Sequence, residues 1–440
     1  MSQIRICSFA IGIAFGLACA MTRTTWADEI LLPSSQVQSQ KPSTIQIDLT
    51  NLESAREAAQ EIDAADPGSV HPELILASAY MQRGNVRQAR ALMESLAIKE
   101  PDRIDLRMSF CMLAMKEGRW FDAWVHGTAA RDAKFPEKWD EDRQAKAKQQ
   151  VELLLANCCE GRGDWTQALE IYETLHAELD QKEQSDLTAR VLQGLGRVQF
   201  HLGELEKSVE RFSQFAVLVD IVEPAELTVA KLFESQQKVK EAEEWYQRSM
   251  DSAPADTQIH FARWLIWSNQ GERAQETLEK DLSALRTAPL PKTEIPYLRA
   301  LADRMQGNYG QAAKSLSKLH REDPASYSVG NQLALTLIEL EEESDRARAL
   351  QIAESNVRNR QDDLEARATL GWVQYRLGDL QQAQAHLSIV AQGGNISRDT
   401  AFYMAELHSK LGNAQKANEL YAAAQQAKGP FFYAIKMQDR

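Results

Sequence analysis

Seven glycines in this chain are each followed, five residues later, by a small residue: Gly84/Ala89, Gly118/Ala123, Gly163/Ala168, Gly203/Ser208, Gly307/Ala312, Gly378/Ala383 and Gly412/Ala417. At both ends of the series the step is 34 residues, from Gly84 to Gly118 and from Gly378 to Gly412. A period near 34 in a sequence rich in helix formers predicts a helical hairpin repeated along a solenoid, because one hairpin cannot bury its apolar face without neighbours. With 44% apolar and 26% charged residues the chain has the composition of a folded helical protein, where a disordered one would be poorer in apolar side chains. Such regularity predicts a binding surface and leaves its ligand unnamed.

The first residues read as a separate unit. Arg5 supplies a positive charge, Ile6 to Leu17 is nearly all apolar or small, and Ala18-Cys19-Ala20 or Thr25-Trp26-Ala27 fits a signal-peptidase site. The apolar stretch falls short of the about 20 residues that cross a bilayer, so residues 1–27 are expected to be a cleaved export signal with no transmembrane span left behind. The expected location is periplasmic or secreted, in a bacterium. In a eukaryotic lumen, Asn395-Ile396-Ser397 would be a glycan acceptor. Without residues 1–27 the chain carries 48 bases against 63 acids, a formal charge of −15, which repels phosphate backbones and argues against nucleic acid as a partner. Cys111, Cys158 and Cys159 remain, an odd number and no disulfide framework. They read as buried thiols packing as small apolar groups, with a bond from Cys111 to Cys158 or Cys159 as the sharper alternative.

Residues 28–47 lack any helical or strand period and read as a flexible linker. Residues 51–65 look like the second helix of a hairpin without its first, since Ala55 lies 34 before Ala89 and Pro67 lies 34 before Pro101. Full units follow. The first carries Leu76, Ala77, Tyr80, Gly84, Ala89 and Pro101; the fourth Leu195, Gly196, Gly203, Ser208 and Phe212; the ninth Leu370, Gly371, Gly378 and Ala383; the tenth Met404, Ala405, Gly412, Ala417, Tyr421 and Ala424. This pattern resembles the tetratricopeptide repeat. The resemblance implies an all-α fold, a right-handed superhelical solenoid of about ten hairpins over residues 48–428, followed by a C-terminal cap or tail at 429–440. Three units depart from the pattern. The fifth has Gln237 in place of the glycine, the sixth a shifted Gly271, and the eighth inserts Glu341 to Glu343 before Ala349. Eleven extra residues between Gly118 and Gly163 are expected to form a loop and a longer helix from near Glu137, and Glu178 to Gln184 a further polar turn. The aromatics Phe431, Phe432 and Tyr433 are expected to cover the exposed end of the last hairpin, with partner docking as the alternative.

Catalytic patterns are missing from the sequence. The eight histidines lack the spacing that places two zinc ligands on one helix face, and there is neither a phosphate-binding Gly-Lys-Ser/Thr loop nor a Gly-x-Ser-x-Gly nucleophile turn. No cofactor or metal is expected, and the chain reads as a non-enzyme. The resemblance places the binding groove along the first helix of each unit. Counting six back from the glycine-equivalent positions of units four, five and six gives Arg197, Lys231 and Arg263, three bases that would hold a ligand's carboxylates. Arg190 and His201 lie nearby, and Phe200, Ile266 and Trp267 would pack an apolar group between the charges; solvation or pairing with Glu234 is the plainer account of the bases. Met81, Met108, Met112 and Met115 form a second candidate surface for varied apolar peptides, although ordinary packing between helices is the plainer account of them. Trp372 and Tyr375 form a third. The sequence therefore predicts a non-catalytic exported scaffold for a protein or peptide partner. The alternative is a glycan-binding or accessory subunit of a cell-envelope enzyme, with Trp372, Tyr375 and Trp267 as sugar platforms. A direct check of the register is Ala168→Trp, which should overpack the helix crossing and cost about 1–3 kcal/mol; an unchanged melting temperature would place Ala168 elsewhere.

Overall fold

The computed structural model describes residues 4–7, 44–47, 52–65, 71–179, 186–219, 223–280, 292–394 and 396–438. A two-stranded antiparallel sheet joins β1 (Ile4–Cys7) to β2 (Thr44–Ile47), with Ile4 opposite Ile47. Apart from these strands, the expected signal peptide and linker lie outside the described residues, as do most of the polar turn 178–184 and Asn395.

The chain divides into two compact units, Met1–Ile221 and Val222–Arg440. In the first, α1 (Leu52–Ala65) precedes four hairpins: α2 (Pro72–Gln82) with α3 (Val86–Lys99), α4 (Ile104–Lys116) with α5 (Trp120–Arg131), α6 (Glu141–Arg162) with α7 (Trp165–Glu178), and α8 (Asp186–His201) with α9 (Leu205–Val219). The second holds six: α10 (Ala225–Ser235) with α11 (Val239–Ser252), α12 (Pro254–Trp267) with α13 (Gly271–Glu279), α14 (Glu294–Met305) with α15 (Tyr309–Glu322), α16 (Tyr327–Leu337) with α17 (Glu343–Asn359), α18 (Leu364–Leu377) with α19 (Leu380–Gln392), and α20 (Arg398–Lys410) with α21 (Ala414–Gln426). A last short helix, α22, spans Ala434–Gln438. The fold is all-α, with helices packed pairwise as about ten repeated hairpins after one unpaired helix.

The repeat works through a backbone requirement and a packing requirement. All seven glycines of the series end their first helix in the left-handed conformation, with φ between 70° and 88°, where a side chain is costly and glycine is not. Two of the departures keep the same backbone with a different residue. Gln237 (φ 58°) and Asn269 (φ 62°) take the turn position in the fifth and sixth hairpins, each again five residues before a buried alanine, Ala242 and Ala274. Gly271 is therefore not a shifted turn glycine; it opens α13. The inserted segment after Gly118 also differs from expectation: α6 begins at Glu141 rather than near Glu137, where the Asp140 side chain accepts a hydrogen bond from the Arg143 N–H at 2.8 Å and fixes the start as an N-cap.

At the helix crossings, Ala89, Ala123, Ala168, Ala312 and Ala383 are fully buried. Ser208, which replaces alanine in the fourth hairpin, is also fully buried, and its hydroxyl donates to the Gly196 carbonyl at 2.7 Å. Bulky side chains fill the space that the small ones leave. A Cβ on Gly194 would lie 2.3 Å from the Tyr172 ring, and one on Gly196 would lie 2.7 Å from Phe212. The three described cysteines are buried free thiols. Cys111 Sγ faces Cys158 Sγ at 3.7 Å across α4 and α6, while Cys159 turns to Gln167 at 3.4 Å. Contact with Cys111 and burial push the Cys158 thiol up, and burial pushes Cys159 up to about 11.

These contacts separate two glycine substitutions that propensity alone would treat alike. Gly194→Ala should destabilise by about 1–3 kcal/mol because the buried Tyr172 ring, anchored through its hydroxyl to Asn157 and Glu160, has little room to move aside. Gly310→Ala has nothing within 4 Å of the new Cβ and should stabilise α15 by roughly 0.5–1 kcal/mol. Paired denaturant titrations check the opposite signs.

Candidate peptide-binding face

The first helix of each hairpin carries the residues singled out from sequence, and the structure gives most of them partners within the chain. In the first unit, Arg197 on α8 forms a bidentate pair with Glu160 on α6, both bonds 2.9 Å long. Glu160 also accepts the Tyr172 hydroxyl at 2.5 Å. Arg190 pairs with Asp186 one turn away at 2.7 Å. In the second unit, Lys231 reaches Glu223 and Arg263 reaches Glu294, each at 2.7 Å. Glu234, close to these bases in sequence, instead accepts the Tyr246 hydroxyl at 2.5 Å; burial raises its carboxyl pKa despite the pull of Tyr246, Lys231 and Arg263. Burial, with the charges of Lys231 and Arg263, pushes His260 down to about 3, so it is neutral at physiological pH. The bases therefore bind the chain's own acids; the Arg197–Glu160 and Arg263–Glu294 pairs link neighbouring hairpins, while Arg190 and Lys231 pair within their own.

The other candidates are placed as follows. Met81, Met108 and Met115 are buried in the cores of the first two hairpins, and Met112 packs against the same cluster partly exposed. His201 stacks on Trp165, with ring centroids 3.8 Å apart and planes 3° from parallel. Phe200 and Ile266 are buried, and Trp267 is half-buried. Trp372 is 1% exposed. It stacks on Tyr375 and Tyr403, and its indole N–H donates to Glu339 at 3.1 Å, so it has no free face to offer a sugar ring.

The segment after α21 has contacts well beyond the last hairpin. It runs across the first helices of the second unit. The Asn269 amide holds its backbone at two points, donating to the Gly429 carbonyl at 3.1 Å and accepting the Phe431 N–H at 2.6 Å. Asp399 accepts the next N–H, that of Phe432, at 2.9 Å. The fully buried Arg304 lies 4.4 Å from the Phe432 ring centroid and 5.3 Å from that of Tyr433, within the range of a cation–π attraction. Tyr433, also fully buried, stacks on Phe402 at 5.2 Å and meets Trp372 edge-on at 5.3 Å. Lys436 pairs with the buried carboxylate of Glu339, which Arg376 also engages. Arg398 donates to the carbonyls of Ala424 and Gly429. The three consecutive aromatics were the signal in the sequence; their partners Asn269, Arg304, Glu339 and Asp399 come from four separate hairpins and were not legible as a set.

Two tetratricopeptide repeat family models match the chain, one over residues 47–109 and one over residues 149–214. These two segments match tetratricopeptide repeats, which in general form non-catalytic scaffolds that mediate binding to proteins and peptides. No curated protein matches the chain. Similar solved structures include a tetratricopeptide repeat protein from Parabacteroides merdae ATCC 43184, at 14% identity, covering 63% of this chain and 99% of that one with a TM-score of 0.38. Another, from Thermus thermophilus, shares 17% identity, with coverage of 42% and 96% and a TM-score of 0.34. YrrB, described as a tetratricopeptide repeat protein with an unusual peptide-binding site, shares 20% identity, with coverage of 44% and 92% and a TM-score of 0.27. Among the described residues no helix is long and apolar enough to cross a membrane.

The tail contacts give a pH signature. Burial pushes the Asp399 carboxyl up to about 6, against the opposing effects of Arg304, the Phe432 N–H and Arg398. The folded state thus binds this proton more tightly than the unfolded chain does, and the stabilisation is full below about pH 4 and lost as pH rises through about 6. Asp399→Asn keeps an oxygen for the Phe432 N–H and cannot titrate. The stability of the native protein relative to this variant should fall by about 2 kcal/mol between pH 4 and pH 7; a difference independent of pH would contradict this assignment.

Proposed function

We propose that the protein is a non-catalytic, exported scaffold that binds a protein or peptide partner along the face formed by the first helices of its hairpins. The observation that carries this reading is the chain's own segment 429–436, which lies on that face in the second unit with backbone amides and carbonyls held by side chains and aromatic rings seated between helices. A surface that holds one short segment through Asn, Asp, Arg and aromatic side chains has the features of a peptide receptor. The matched family supports protein partners in general. Support for export comes from the positive, apolar and small-residue order of residues 1–27. The paired state of Arg197, Lys231 and Arg263 argues against a ligand held only by these bases, since an incoming carboxylate would have to displace Glu160, Glu223 or Glu294.

The test is panning of a random twelve-residue peptide library against the full chain, followed by hydrogen exchange on the complexes. Enriched peptides should bind with micromolar affinity and slow exchange in first helices such as α4, α6, α8, α12 or α14. Failure to enrich any peptide, or protection confined to the second helices, would sink the proposal.

A further inference from the structure

We infer that the face beneath the C-terminal tail is an exchangeable docking site for a partner segment carrying adjacent aromatic residues followed within a few positions by a lysine or arginine, and that residues 429–436 are its built-in competitor. This inference rests on the peptide-scaffold reading above and specifies the partner's chemistry.

The first support is the manner in which the tail is held. At Gly429, Phe431 and Phe432, ahead of α22, the backbone is held by the side chains of Asn269, Arg398 and Asp399 rather than by a strand or helix of its own. Asn269 occupies the left-handed turn position that glycine fills in seven hairpins, and its amide makes two of these contacts. A glycine there would serve the turn equally well and would hold no tail. The second support is register. Arg304 beneath Phe432 and Tyr433, the Trp372, Phe402 and Tyr403 rings around Tyr433, and Glu339 opposite Lys436 in α22 read successive features along one short segment. Each is a side-chain feature that a segment from another protein can present. The third is that a vacated site does not persist uncovered: removing Phe432 and Tyr433 would open the rings of Trp372, Phe402 and Tyr403 to water, so release of the tail requires an occupant of the same kind. The tail follows α21 directly and competes at the high effective concentration of a short tether.

The test uses the full chain and a fluorescein-labelled synthetic peptide of residues 427–440, read by anisotropy. Lys436→Glu sets a carboxylate against Glu339 and loosens the tail at a partly exposed position; Tyr433→Ala loosens it more strongly. Both chains should bind the peptide at least tenfold more tightly than the unsubstituted chain, whose own tail competes. Adding Asn269→Gly to Lys436→Glu keeps the turn conformation and removes both amide contacts, and should weaken peptide binding about tenfold. If neither loosened chain binds the peptide while both keep native helicity by circular dichroism, the tail is a fixed part of the core and the inference is overturned. Binding that Asn269→Gly leaves unchanged overturns it too, because the peptide then sits elsewhere. Library peptides that bind in either of these cases would leave the general scaffold reading standing, so the two proposals fail separately.

Discussion

The helix crossings depend on how closely two helices can approach, and at Gly161, Gly194, Gly196 and Gly371 that distance is set by a small residue meeting a large one. Gly194 exists because the Tyr172 ring occupies the space a Cβ would need, and Gly196 because Phe212 does. Close packing at these points has little tolerance for one extra carbon. Tyr172 then does a second job, since its hydroxyl meets Glu160, and Glu160 takes both ends of the Arg197 guanidinium from the following hairpin. Apolar packing therefore positions a polar relay that spans hairpins. In the second unit Tyr246 and Glu234 repeat the first step, as Tyr421 and Glu406 do, with hydroxyl to carboxylate distances of 2.5 and 2.6 Å.

How much of this was legible in the sequence follows from the range of the interactions. The glycine and the small residue five positions later are local, so the hairpins, their turns and the unpaired α1 could be read along the chain. The backbone at Gln237 and Asn269 was partly hidden because the conformation was kept while the residue changed; the buried Ala242 and Ala274 five positions on were the clue. The inward-facing bases were placed on the right helices, yet their acids are Glu160, Glu223 and Glu294, lying 37, 8 and 31 residues away. Periodicity reports which face a residue occupies and says nothing about which side chain from a neighbouring helix meets it there.

The tail shows the same limit more strongly. Three aromatics after α21 signalled a cover, and the nearest surface to cover was the end of the final hairpin. Arg304 and Asp399 alter that outcome. A buried guanidinium needs anions and ring faces around it, and the tail brings Phe432 and Tyr433 to it while Asp399 supplies charge from α20 at 3.9 Å. The face of the second unit that carries these residues is consequently occupied by the chain's own tail: an amide holds two backbone groups, a cation lies against two rings and a carboxylate meets Lys436.

Native-state hydrogen exchange of residues 429–436 is the most direct measurement, because the amides of Phe431 and Phe432 are bonded to side chains of distant hairpins. With the tail seated on the face, their exchange should be slowed by at least about a hundredfold relative to an unstructured peptide of the same sequence. Exchange at the unstructured rate, in a chain whose helices remain protected, would show that the tail does not occupy the face.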